Sequence, residues 1–245
     1  MKKTTAVATM LTFLSLNTYA QGELSMNQYH QINEATMINM KSKQIDATEF
    51  ENFLIAGGNL VKQTEPKTKL WFALKGSNNS LSIFDAFYDN SGRDAHFSGQ
   101  VAGALKNNAD QLVLGGWENG VLTNVANSKI LSSKLPTEQV TVRVANYIEF
   151  TANQGKAEEL AALLTNAAEV VNTTEPQTSY WIALQLNENT FAIFDAFPDQ
   201  EGQKAHFAGK VAMTLKDHAN DLIQDGWEKG VVSHVQNFKV MTHVG

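Results

Sequence analysis

Two residue pairs in this chain have the types and spacing for proton chemistry. His96 stands eleven residues after Asp85, and His206 stands eleven after Asp195. Each Asp interrupts an otherwise apolar run, "IFDAF", where an unpartnered carboxylate costs several kcal/mol, so each requires a partner. Strand alternation places Ile83, Asp85 and Phe87 on one face and Phe84 with Ala86 on the other. Each His lies in "AHF", near the start of the helical stretch that follows. An Asp orienting such a His gives a catalytic base that works near neutral pH without a metal. The same residues also read structurally, as a helix-start His bonded to a neighbouring carboxylate or carbonyl. On that reading the Asp caps a helix or lies between two copies of a repeated unit.

Aromatic residues accompany both pairs. Trp71 and Trp181 share a strand face with Ala73 and Ala183, which leaves room beside the indole for a flat ring to stack. Phe87 and Phe197 close the same runs, and all four aromatics serve equally well as core or as a substrate-binding wall. Trp117 and Trp227, in "GWE", read as anchors of a turn. His30, His218, His234 and His243 occur in one copy each, so a duplicated site cannot depend on them. The sequence has no His-x-x-x-His metal spacing, no phosphate-binding glycine loop and no nucleophile elbow, so neither a metal nor a nucleotide cofactor is expected. With no Cys, thiolate chemistry and disulfides are excluded.

The elements that must position these residues come in two matching sets. Offset by 110 residues, Met40–Leu131 aligns with Phe150–Met241 without a gap and is identical at about 38 of 92 positions. "TEP" recurs at Thr64 and Thr174, "IFDAF" at Ile83 and Ile193, "AHF" at Ala95 and Ala205, and "GWE" at Gly116 and Gly226. In the second copy "YIEF" reads as a strand, and Leu160, Leu163, Leu164, Ala167 and Val171 recur at helical spacing. "TEP" stops that helix, because Pro176 disfavours helical geometry at Glu175. A hairpin follows, then a second helix through Phe207, Val211, Leu215 and Leu222, then a last strand. The order β-α-β-β-α-β predicts an α+β fold of two tandem ferredoxin-like units. Helices cover one face of each sheet. Packing the other faces together predicts an intramolecular, pseudo-dimeric α/β barrel, linked by "SSKLPTEQ" and monomeric as a chain.

The first twenty residues have the parts of an export signal: Lys2 and Lys3, an apolar run from Ala6 to Leu16, and small residues before Gln21. A periplasmic or secreted protein is expected. Removing Lys2 and Lys3 leaves 17 basic against 25 acidic residues, which argues against a nucleic-acid partner. No further run approaches the roughly 20 apolar residues of a membrane span. The expected divisions are a signal peptide at 1–20, an extension at 21–34, a first repeat at 35–134 and a second at 135–245.

Taken together, "EP-x-T-x-x-W-x-AL", "IFDAF-x-D-x-x-G-x-x-AHF-x-G-x-VA" and "KILSSKLP" resemble the antibiotic biosynthesis monooxygenase family of dimeric α/β barrels, particularly its quinol-monooxygenase-like members. The resemblance spans both repeats. It implies a pocket between sheet and helices in each unit and cofactor-independent oxygenation of a small aromatic quinol or polyphenol by O2. His96 or His206 would then act as the base, Asp85 or Asp195 would hold it, and Trp71, Trp181, Phe87 and Phe197 would contact substrate. It also implies two alternatives. One is a haem-binding or haem-degrading protein with a helix His on iron, although the strand Trp of that branch is replaced by Phe87 and Phe197 and its Asn is matched only by Asn39 or Asn146. The other is a non-catalytic barrel that binds a small ligand, or whose repeats simply complete one another's sheets.

Overall fold

The apolar alternation in each copy forms strands, and the 3.6-residue periodicity forms helices laid over one face of them. The structure, a computed structural model, describes residues 31–245, so the expected signal segment lies outside the described residues. The first unit runs β1 (Glu34–Lys41), α1 (Thr48–Thr64), β2 (Thr68–Lys75), β3 (Ser80–Phe87), α2 (Asn90–Phe97), α3 (Gln100–Leu112) and β4 (Val125–Lys134). The second runs β5 (Val144–Thr151), α4 (Ala157–Thr174), β6 (Tyr180–Gln185), β7 (Thr190–Phe197), α5 (Gln200–Phe207), α6 (Lys210–Leu222) and β8 (Val235–Val244). A π-helical turn precedes each last strand, at Gly116–Val121 and Gly226–Val231.

The strand order is β1-β3-β2-β8-β5-β7-β6-β4, and β4 pairs back onto β1, closing an eight-stranded antiparallel barrel. Each ferredoxin-like unit contributes four neighbours. The seams are β2 with β8, from Trp71 opposite Val244 to Lys75 opposite Lys239, and β4 with β6, from Lys129 opposite Gln185 to Lys134 opposite Trp181. Ser132 and Ser133 belong to β4, so the connection between units is shorter than "SSKLPTEQ" and covers residues 135–143.

Alternation sorts the apolar side chains into three cores. Leu70, Phe72, Phe84, Ala86, Tyr147, Ile182 and Phe194 fill the barrel interior, where Phe84 and Phe194 stack with centroids 3.9 Å apart. The opposite strand faces pack under helices: Trp71, Ala73 and Ile83 beneath α1 and α3, and Trp181, Ala183 and Ile193 beneath α4 and α6. Side chains fill the barrel interior, and Trp71, Trp181 and their neighbours lie on the helix side of the sheet.

The single second helix expected in each unit is broken in two. α2 ends at Phe97, and α3 starts after Gly99, whose backbone is extended at φ −81° and ψ −178°. A Cβ on Gly99 would lie 2.6 Å from Glu65 Oε1, so the break makes room for that carboxylate. Glu65 in turn accepts a hydrogen bond from the Val101 N–H at 3.1 Å, in the first turn of α3, where backbone donors lack intrahelical partners.

Candidate active site

Three elements bring an acid, a base and a second acid together in each unit. β3 holds Asp85 on the helix-facing side, opposite Trp71 on β2. α2 begins because the Asp89 side chain accepts from the Gly92 N–H at 2.9 Å, and its last turn turns His96 inward. α1 stops at Thr64, as "TEP" predicts, and delivers Glu65 to the same place. The result is a buried row. His96 Nδ1 lies 2.5 Å from Glu65 Oε2, and His96 Nε2 lies 3.3 Å from Asp85 Oδ2. In the second unit His206 lies 2.5 Å from Glu175 and 3.4 Å from Asp195.

The expected meeting of Asp and His therefore occurs twice, at an ion-pair distance whose angles fall short of a hydrogen bond. Neither oxygen of Asp85 or Asp195 has a hydrogen-bond partner, and neither do the indole N–H groups of Trp71 and Trp181. Sequence reasoning does not single out this Glu, because "TEP" reads as a helix stop. Its recurrence in the same place in both copies, beside the recurring His, was the available signal.

The electrostatics differ from those of a free base. Burial alone would lower the pKa of each imidazolium, but the carboxylates on both sides outweigh it and raise His96 and His206 to about 9. Each ring is therefore a cation at neutral pH, with a carboxylate near each of its nitrogens. Burial pushes Glu65 up, but His96, the Val101 N–H and Thr68 overcome this and hold it below its ordinary value. Complete burial raises Asp195, against the pull of His206 and Asn146.

The aromatic residues divide. Trp71 lines an apolar hollow of about 30 Å³ between the sheet and the helices of the first unit. His96 lies in its wall with Phe97, and Phe53, Trp117 and Leu122 form the more exposed part. Trp117 thus borders the hollow as well as anchoring its turn. Phe87 and Phe197 are fully buried and pack against the imidazoles, with centroids 5.6 and 5.5 Å away, without lining the hollow. Trp181 is likewise fully buried.

A haem does not fit here. Both nitrogens of each candidate ligand face carboxylates, and a hollow of about 30 Å³ has room for a few atoms, not a macrocycle. Among the described residues, no three His, Asp or Glu side chains converge as a metal-binding group.

No family model matches the sequence, and no curated protein matches it. Solved structures do match. A candidate monooxygenase from Fusobacterium nucleatum is 15% identical with a TM-score of 0.73, over 88% of this chain and 95% of its own. A second candidate monooxygenase, from Lactobacillus acidophilus, is 11% identical with a TM-score of 0.70, over 87% of this chain and 96% of its own. A protein of unknown function from Nitrosomonas europaea is 32% identical over 44% of this chain and 99% of its own, with a TM-score of 0.40. At these identities the first two likenesses concern fold, and they agree with the resemblance carried by the repeated motifs. In fold, the chain is similar to these two candidate monooxygenases over most of both lengths, with its eight-stranded barrel closed within one polypeptide.

Proposed function

We propose that the protein is a cofactor-independent monooxygenase of a small, electron-rich aromatic such as a quinol, with its reaction centre at the hollow of the first unit. One observation carries this reading: a buried Glu65–His96–Asp85 row opens onto an apolar hollow walled by Trp71 and Phe97. An exported protein is consistent with the first twenty residues.

The reaction balances without an added reductant. A benzenediol and O2 give a hydroxylated benzoquinone and water: one oxygen atom enters the ring, and the other leaves with two hydrogens. His96 is protonated at neutral pH and both its nitrogens face carboxylates, so its role is to stabilise, as a buried cation in the wall, the negative charge that develops on reduced oxygen rather than to take a proton from the phenol. Glu65 and Asp85 hold the ring in place and keep it charged, and the two protons that leave in water come from the benzenediol. The apolar wall excludes water, which strengthens the field of the imidazolium. The substrate ring enters by displacing the partly exposed rim side chains Phe53, Trp117 and Leu122.

Oxygen uptake with a series of benzenediols in chelator-treated buffer tests this. The expected result is consumption of O2 with one atom of 18O from 18O2 in the product and the other in water. The absence of uptake with every member of the series would refute it.

A further inference from the structure

The buried row of the second unit ends close to the surface. Where α4 stops and α5 gives way to α6, a cavity of about 330 Å³ opens to solvent. Glu175, Thr178 and His206, all buried, form its floor, and the exposed Pro176, Ala208 and Met213 stand around it. Met213 leaves 58% of its surface exposed beside this opening.

That wall is not repeated in the first unit. Gly103 stands 110 residues before Met213, and Gln100 stands 110 before Lys210, which also borders the cavity. A Cβ on Gly103 would meet nothing within 4 Å, so α3 offers no side chain where α6 offers a thioether. The floor differs as well. Glu65 Oε1 accepts from the Val101 N–H at 3.1 Å, but the equivalent Glu175 Oε1 is buried with no hydrogen-bond partner. It lies beneath Gly209, another residue of the cavity lining, where a Cβ would stand 2.4 Å from it. A buried acceptor left without a donor is unfavourable, and a donor brought by a ligand relieves it.

We infer that this cavity is a binding site for a small neutral aromatic carrying a hydroxyl group, distinct from the apolar hollow of the first unit. Its volume falls within the range of small-molecule sites, about 300–1,000 Å³, which the hollow does not reach. A flat ring suits the walls, because a thioether packs favourably against an aromatic and Pro176 and Ala208 add apolar surface. The imidazolium in the floor favours the negative face of a π system over a saturated ring. Glu175 and Asp195, on either side of His206, disfavour an anionic ring, and Lys210 at the rim disfavours a cationic one. A hydroxyl directed at the floor supplies the donor that Glu175 Oε1 lacks, once the Gly209 backbone, which carries no side chain, yields to it. The site stands apart from the oxygenase reading, which concerns the first unit.

Catechol is the probe, and the Met213 Cε methyl and His206 Cε1–H resonances report on this cavity. NMR titration of the intact protein with catechol should shift both saturably, with a Kd on the order of 1 mM for so small a ligand. Benzoate and cyclohexanediol should shift neither. Met213→Ala, at an exposed helix position, should keep the fold and weaken the His206 response to catechol by roughly fivefold. A silent Met213 methyl, an equal response to benzoate or cyclohexanediol, or an unchanged His206 response in Met213→Ala would overturn the inference. Oxygen uptake with benzenediols while the Met213 methyl stays silent removes this site and leaves the oxygenase reading standing. A Met213 response with no benzenediol oxidised does the reverse.

Discussion

Glu65 Oε2 lies 2.5 Å from His96 Nδ1, on the opposite edge of the ring from Asp85. This contact turns an orienting pair into a three-membered row and fixes the imidazole as a cation. Glu65→Gln should therefore lower the His96 pKa from about 9 by more than one unit and cost about 2 kcal/mol of stability. Histidine Cε1–H resonances followed by NMR against pH, with denaturant unfolding, measure both. A His96 titration unmoved by the substitution would contradict the role given to Glu65.

Stability should fall as the solution becomes alkaline. Both histidines have folded pKa values of about 9, above the ordinary 6.5, so their contribution is complete below pH 6.5 and is lost as pH rises toward 9. Each accounts for on the order of 3 kcal/mol over that window. Thermal unfolding at pH 6.5 and pH 9.5 should show a clear drop, and a flat profile would rule out the charged row.

Phe84 and Phe194 stack at the centre of the barrel, one from each unit. Each change to Ala should cost about 3–5 kcal/mol, and the double variant should cost less than the sum, because the two rings share one space. Additive losses in a double-mutant cycle would mean that the stack does not couple the units.

Gly116 has φ +64°, and a Cβ there would collide with the Asp110 carboxylate. Gly116→Ala should destabilise by on the order of 1–3 kcal/mol, seen as a shift in the urea midpoint. At the preceding position the units differ, with Gly115 at φ +91° and Asp225 at φ +62°, so Asp225→Gly should be neutral or stabilising.

Because the two units close one barrel, with β4 and β8 each shared across a seam, the protein should run as a single chain in light scattering. A stable dimer would show that units pair between chains instead.

Much of this arrangement was legible in the sequence. The repeated Asp in an apolar strand and the repeated His eleven residues later were enough to bring Asp85 to His96, because strand alternation fixes the face and a short connection fixes the reach. The part played by Glu65 was not legible in the same way. Its contact crosses 31 residues and depends on a helix break at Gly99, whereas an apolar period running through Phe207, Val211 and Leu215 reads as one continuous helix. The protonation of His96 was hidden for the same reason, since a ring with one carboxylate neighbour and a ring with two read alike until the second is found. Phe87 was expected to touch substrate because alternation gives a face, but it does not say which residues on that face meet a helix and which meet a void.

Joining the two units in one polypeptide frees them from a constraint that binds any barrel assembled from identical subunits. There, a change introduced in one subunit is introduced in the other as well, so both sites gain or lose volume together. Here the gene encodes each half separately, so one side chain can be added to α6 and withheld from α3. Divergence between the halves becomes available without loss of the closed wall they build together.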